Sequence, residues 1–200
     1  MFAKIEGINT SSHGDTVEEV MRMLCNRSFK LTPDIILPPI RLENHWCVDC
    51  DEVYPNLFIS NAATAKNKAF LKALGITHIL NPAEGEEMGM VNTDSEFYRQ
   101  DGIKYLGLRL MDLPSTPISS YFPEVTNFIE EGISSGGKVL VHCLMGISRS
   151  STCAIAYLMI KKNMTLQQAV RQIRAHRDIR PNYGFLHQLA DLNHELRHKS

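Results

Sequence analysis

The stretch from Lys138 to Lys162 limits what this chain can fold into more than any other part of it. Lys138–His142 (KVLVH) is a short, continuous apolar run, the pattern of a strand covered on both faces. Arg149–Lys162 has helical character and is apolar almost all round, so it belongs at the centre of the molecule rather than on its surface. A buried strand that runs through a short loop into a buried helix requires layers on both sides. This is the signature of an α/β sheet, and not of a bundle or a sandwich.

The rest of the chain fits that reading. Val53–Ser60 reads as paired strands pinched at Pro55-Asn56, and Ala62–Leu74 as a helix with Gly75 just past its end. Ile76–Leu80 and Ile103–Leu110 read as strands. Ser119 or Ser120 is placed to cap a helix to about Ser134, and Gly136-Gly137 makes a turn. Thr165 caps a helix to about His176, and Pro181-Asn182 opens a last one to about Arg197. Alternating strands and helices with short links predict a mainly parallel central sheet flanked by helices on both faces.

Ahead of this unit, Thr16 and Glu19 have capping-box spacing, and Val17, Val20, Met21 and Leu24 form an apolar stripe. The expected organisation is a polar tail over 1–14, an amphipathic helix (about 15–27) with a proline-punctuated connector over 15–50, and the main α/β domain over 51–200. The apolar stripe either packs on that domain or supports weak self-association.

Composition narrows the function. Lys and Arg number 21 against 22 Asp and Glu, a formal net charge of −1, which disfavours nucleic acid and membrane surfaces as partners. The opening residues carry no apolar signal core, and the longest apolar run, Cys153–Ile160, is too short to span a bilayer. Five cysteines, an odd and sparse set, do not form a disulfide framework. The expectation is a reducing compartment, cytoplasm or nucleus.

In such sheets ligands bind beyond the carboxyl ends of the strands. There, His142 is followed by Cys143-Leu144-Met145-Gly146-Ile147-Ser148-Arg149. A loop of this length before a helix N-terminus can turn successive N–H groups inward as an anion nest. Gly146 permits a backbone conformation that other residues resist, and Arg149 can grip two oxygens of a tetrahedral oxyanion. Cys143 lies at the base of the nest, where amide dipoles and an arginine favour the thiolate. A nucleophile on the floor of an anion cradle suits phosphoryl transfer to sulfur.

His142 to Ser150 (HCLMGISRS) therefore resembles the His-Cys-five residues-Arg loop of the cysteine-dependent protein tyrosine phosphatases. Ala156–Met159, GITHILNPAEG (75–85), GIKYLGL (102–108) and PNYGFLHQL (181–189) are similar to the small atypical dual-specificity phosphatases, of the vaccinia-H1-related kind. The resemblance covers roughly residues 15–197. It implies a protein tyrosine phosphatase-like fold and a phosphatase of phosphotyrosine and phosphoserine or phosphothreonine, working through a cysteinyl-phosphate without cofactor or metal. Phosphorylated proteins, mitogen-activated protein kinases among them, are the implied partners.

The resemblance also assigns roles. Cys143 is the nucleophile. Leu144, Met145, Gly146, Ile147, Ser148 and Arg149 bind the phosphoryl group. Asp112, in the loop MDLPSTPIS after a strand, is the general acid, ahead of Asp94 and Asp101. Ser150 assists the sulfur as leaving group, while His142 and Asn182 support the loop. Arg171, Arg174, Arg177 and Arg180 recur every three residues; a solvated helix face is the plain reading, and the resemblance singles out Arg177 for a second phosphate.

Other readings compete. Cys47-Val48-Asp49-Cys50 with His45 upstream offers part of a zinc set but lacks a second ligand pair, so no metal is expected; a redox role for Cys47 and Cys50 stays open. A phosphoprotein-binding pseudophosphatase is disfavoured by the intact Cys143, Arg149 and Asp112. A phosphatase of phosphoinositide, glycan or RNA 5′ phosphate is disfavoured by a loop without lysine.

Overall fold

The computed structural model describes residues 11–25 and 48–198. A first helix, α1 (Ser11–Cys25), precedes an antiparallel pair, β1 (Cys50–Tyr54) and β2 (Leu57–Ser60), turned at Pro55-Asn56. Two short helices, α2 (Ala62–Ala65) and α3 (Lys68–Leu74), lead to β3 (Ile76–Asn81). Then follow α4 (Ser95–Arg99), β4 (Lys104–Gly107), a 3-10 turn (Ile118–Tyr121), α5 (Phe122–Ser134) and β5 (Lys138–His142). Helices α6 (Arg149–Lys161), α7 (Leu166–Arg174) and α8 (Tyr183–His198) complete the chain.

The five strands lie in the order β1-β2-β5-β3-β4, and every pairing except β1 with β2 is parallel. Strand residues alternate between two cores, as the two-residue period of a strand requires. Leu57, Ile59, Leu80, Val139 and Val141 face the larger core, built with α1, α5, α6, α7 and α8. Phe58, Ile79 and Leu140 face the smaller one, closed by Phe70, Leu71, Leu74 and Tyr98. β5 is the central strand, and α6 is buried along most of its length, as its apolar circumference predicts.

Three local expectations shift, and one element, α4, was not read from the sequence. The helix expected over Ala62–Leu74 is two helices, because Asn67 interrupts it and its side chain caps the second by accepting from the Phe70 amide at 3.1 Å. Ser119 and Ser120 do not cap α5; they lie in the 3-10 turn, and α5 follows with a proline in its first turn. The strand expected over Ile103–Leu110 is regular only from Lys104 to Gly107, after which the chain turns to Asn81, whose carbonyl accepts from the Leu108 amide at 2.9 Å. α4 carries no strong periodic signal, being five residues long, and Asp94 is its cap, accepting from the Phe97 amide at 2.8 Å.

Within the described residues α1 spans Ser11–Cys25, reaching one turn ahead of the expected 15, while the expected end near 27 lies outside them. Val17, Val20 and Leu24 are buried in the larger core, and Gln167 of α7 donates to Glu19 at 3.1 Å. The apolar stripe is thus consumed by packing on α7 and α8. The remaining tail, most of the connector, and His45 and Cys47 of the zinc reading lie outside the described residues.

Candidate active site

The loop from Cys143 to Ser148 leaves the carboxyl end of β5 and enters α6. Gly146 takes φ +69°, the left-handed region, and a Cβ there would collide with the Ser60 carbonyl oxygen and with Arg177 Nη2. With that turn, the Gly146 amide points back at Cys143 Sγ, 3.2 Å away. Ser150 Oγ, in the first turn of α6, lies 3.3 Å from the same sulfur.

These contacts set the thiol's acidity. Burial raises it, but the Ser150 hydroxyl, the loop amides and the Arg149 charge together outweigh burial and hold Cys143 below the ordinary thiol value. The half-buried Cys50 and the buried Cys153 go the opposite way. Burial and the Asp51 charge push Cys50 up to about 12, and burial raises Cys153 as well.

Arg149 is buried at the start of α6. Its Nη1 donates to the Leu110 carbonyl at 2.9 Å and to Met90 Sδ at 3.3 Å, and its Nη2 to the Gly89 carbonyl at 2.7 Å. These bonds fix the plane of the guanidinium. Its Nε is buried and has no hydrogen-bond partner among the described residues. The nearest carboxylate oxygen, Asp112 Oδ2, is 3.8 Å from it.

Asp112 is brought to the loop by tertiary contacts. Its Oδ1 accepts from Ser148 Oγ at 2.7 Å and from Asn182 Nδ2 at 2.8 Å. Its loop is docked on α8. A Cβ on Gly184 would collide with the backbone of Pro114, and Gln188 donates to the Thr116 carbonyl while accepting from the Ser119 amide, both at 2.9 Å. Asn182 also starts α8, accepting from the Phe185 amide at 3.0 Å. Ser148 makes no side-chain cap; its oxygen donates to Asp112 and accepts from the Asn182 amide at 3.2 Å. Asp101 is elsewhere, paired to Lys68 at 2.9 Å.

His142 is fully buried, its Nδ1 lies 3.5 Å from the Cys143 carbonyl, and its Nε2 has no partner among the described residues. Burial drives its pKa down to about 4, so the ring is neutral. Leu144 and Met145 are exposed at the loop's outer edge, while Ile147 is half-buried.

Arg177 departs from the expectation of a second phosphate site. It lies three residues past the end of α7, is 5% exposed, and spends all five N–H donors inside the protein. Nη1 donates to Asp49 Oδ1 and Asp51 Oδ2, each at 2.7 Å. Nη2 donates to Asp49 Oδ2 at 2.8 Å and the Met145 carbonyl at 3.2 Å, and Nε to the Gly146 carbonyl at 2.7 Å. No donor is left for an added anion. The two aspartates were not among the residues read from sequence as functional, although Asp49 and Asp51, two apart, fall on one face of an extended chain. Of the other arginines, Arg171 pairs with Glu19 at 3.6 Å and Arg180 with Asp178 at 3.1 Å.

Comparison with known proteins agrees with this geometry. Residues 57–195 match the dual specificity phosphatase catalytic domain. Dual specificity protein phosphatase 13B of Homo sapiens is 46% identical over 147 residues, 73% of either chain. Dual specificity protein phosphatase 26 of Homo sapiens is 41% identical over 152 residues, 76% of this chain and 70% of that protein. A single-substitution variant of human DUSP28 superimposes with a TM-score of 0.68 at 25% identity, over 77% of this chain and all of that one. With the anion loop complete, and with both the sequence and the fold in agreement, the chain belongs to the dual specificity phosphatase catalytic-domain family and is a dual-specificity protein phosphatase.

Proposed function

We propose that the protein hydrolyses phosphotyrosine and phosphoserine or phosphothreonine in proteins through a cysteinyl-phosphate on Cys143. One observation carries this reading. A buried sulfur held below its ordinary pKa accepts from the Gly146 amide, and the neighbouring Arg149 Nε is buried without a hydrogen-bond partner among the described residues. A phosphoryl group seated on the loop brings its oxygens to the inward amides and to Nε.

In the first step Cys143 Sγ attacks phosphorus, an S–P bond forms, and the bond to the ester oxygen breaks. Asp112 gives that oxygen its proton. In the second step the Asp112 carboxylate takes a proton from water, the water oxygen attacks phosphorus, and the S–P bond breaks. The departing thiolate accepts a hydrogen bond from Ser150, and phosphate leaves. Leu144, Met145, Ile147 and Ser148 contribute the loop that holds the phosphoryl group, and His142 the loop's buried base. No step calls for a metal or organic cofactor.

The resemblance of sequence to the small atypical subgroup favours mitogen-activated protein kinases among protein substrates. The test is a rate comparison on phosphotyrosine and phosphothreonine peptides, a doubly phosphorylated kinase, phosphoinositide and 5′-phosphorylated RNA. Turnover of the peptides with trapping of a phosphorylated Cys143 is the expected result. Turnover confined to lipid or RNA, or peptide binding without turnover in reduced protein, overturns it.

A further inference from the structure

The loop's amides can face an anion only if its carbonyls face away. Two of those carbonyls, Met145 and Gly146, point at a single side chain, the guanidinium of Arg177. That guanidinium is in turn held from the opposite side by Asp49 and Asp51, which come from the β1 end of the sheet. The fork geometry matters, because Nε and Nη2 reach consecutive carbonyls at once, a match that lysine lacks. Gly146 is also where the backbone turns over, at φ +69°, and Arg177 Nη2 fills the space a side chain would take.

We propose that Arg177, locked by Asp49 and Asp51, is a positioning residue that holds the outer carbonyls of the anion loop, and that its saturation closes the place where a second phosphate would bind. The inference rests on the phosphatase reading above and adds a substrate preference to it. A substrate gains nothing here from a second phosphate, because that anion would have to displace a carboxylate already paired to the same guanidinium. The surrounding groove of about 510 Å³ sets Asp49, Asp51 and Asp178 against Arg177 and His176, and because Arg177 is already paired to two of the three carboxylates the groove offers an added anion no unspent guanidinium donor.

Steady-state kinetics on wild type, Arg177→Ala, Arg177→Lys and the double variant Asp49→Asn/Asp51→Asn separate the roles. The substrates are p-nitrophenyl phosphate and matched singly and doubly phosphorylated peptides, with inorganic phosphate as competitive inhibitor. The expected result is that wild type treats the two peptides alike to within about twofold. In Arg177→Ala, kcat/KM falls by the same factor, about tenfold or more, on all three substrates, and inorganic phosphate inhibits correspondingly less well, the loss that a small misplacement of binding groups produces. Arg177→Lys restores little.

The double variant keeps the arginine and its bulk, so it reads the role without a cavity. Removing two negative charges would by electrostatics alone move the acidic limb of the pH profile down; loosening the loop amides moves it up. An upward shift with weaker phosphate inhibition supports the positioning role. A gain by the double variant on the doubly phosphorylated peptide over the singly phosphorylated one is expected once the carboxylate charges no longer cover Arg177. If Arg177→Ala instead loses activity only on the doubly phosphorylated peptide, or if the limb of the double variant is unmoved or lowered with phosphate inhibition unchanged, the proposal is overturned. Wild type without turnover of p-nitrophenyl phosphate would sink the phosphatase reading itself, a separate outcome.

Discussion

Asn182 and Asp112, 70 residues apart in sequence, meet with Nδ2 donating to Oδ1 at 2.8 Å. The same oxygen accepts from Ser148 of the anion loop at 2.7 Å. Two donors on one oxygen orient the carboxyl and leave its second oxygen on the Arg149 side, 3.8 Å from Nε. The proposed acid is thereby tied to the anion loop and to the start of α8 together.

Asp112→Asn should therefore slow ester cleavage according to the leaving group. Turnover of phosphoserine peptide is expected to fall by about 100-fold or more, the usual contribution of a positioned acid, and p-nitrophenyl phosphate much less. Asn182→Ala should show the same trend in weaker form. A series of substituted phenyl phosphates measures it; equal losses across the series would place the acid on another residue.

Cys143 and Ser150 give a second test. Cys143→Ser should remove turnover and retain phosphate binding. Ser150→Ala should move the pH midpoint of Cys143 alkylation by iodoacetamide upward, because the hydroxyl is the largest of the influences that lower this thiol. It should also slow breakdown of the trapped phosphoenzyme more than its formation.

His142 predicts a pH dependence of stability. Its folded pKa is about 4 against an ordinary 6.5, because burial disfavours the charged ring. Between those values the unfolded chain takes up a proton that the folded one refuses. The contribution is whole above pH 6.5 and is lost as pH falls toward 4, amounting to about 3 kcal/mol at most. Urea titrations across that window should show the slope in wild type and a shallower one in His142→Gln.

Gly146→Ala should cripple the loop. The positive φ costs roughly 1–2 kcal/mol for a residue with a side chain, and the added methyl group meets the Ser60 carbonyl and Arg177. The expected outcome is loss of phosphate binding, read by inhibition or by thermal shift with inorganic phosphate, beyond what the change in melting temperature accounts for.

Much of the fold was legible because its signals are local. The run KVLVH, the all-apolar helix behind it and the turn at Pro55-Asn56 each follow from a few consecutive residues. The misread boundaries lie where a side-chain cap or a tertiary contact outweighs periodicity. Asn67 splits a helix that its apolar pattern runs through, and the chain leaves β4 early to pair with Asn81. The partners of Arg177 were illegible for a similar reason. A three-residue recurrence suggests a helix face, yet α7 ends at Arg174 and Arg177 turns inward.

From sequence alone came the family, the α/β sheet and the loop with Cys143 and Arg149, since a strand, a glycine turn and a helix start encode an anion nest within a dozen residues. Tertiary structure alone decided that Asp112 is gripped by Asn182 and Ser148, and that Arg177 is spent on Asp49, Asp51 and two loop carbonyls. Those partners lie up to 128 residues apart. Periodicity and propensity report on neighbours in the chain, whereas the partner that satisfies a buried charge is set by the packing of distant elements.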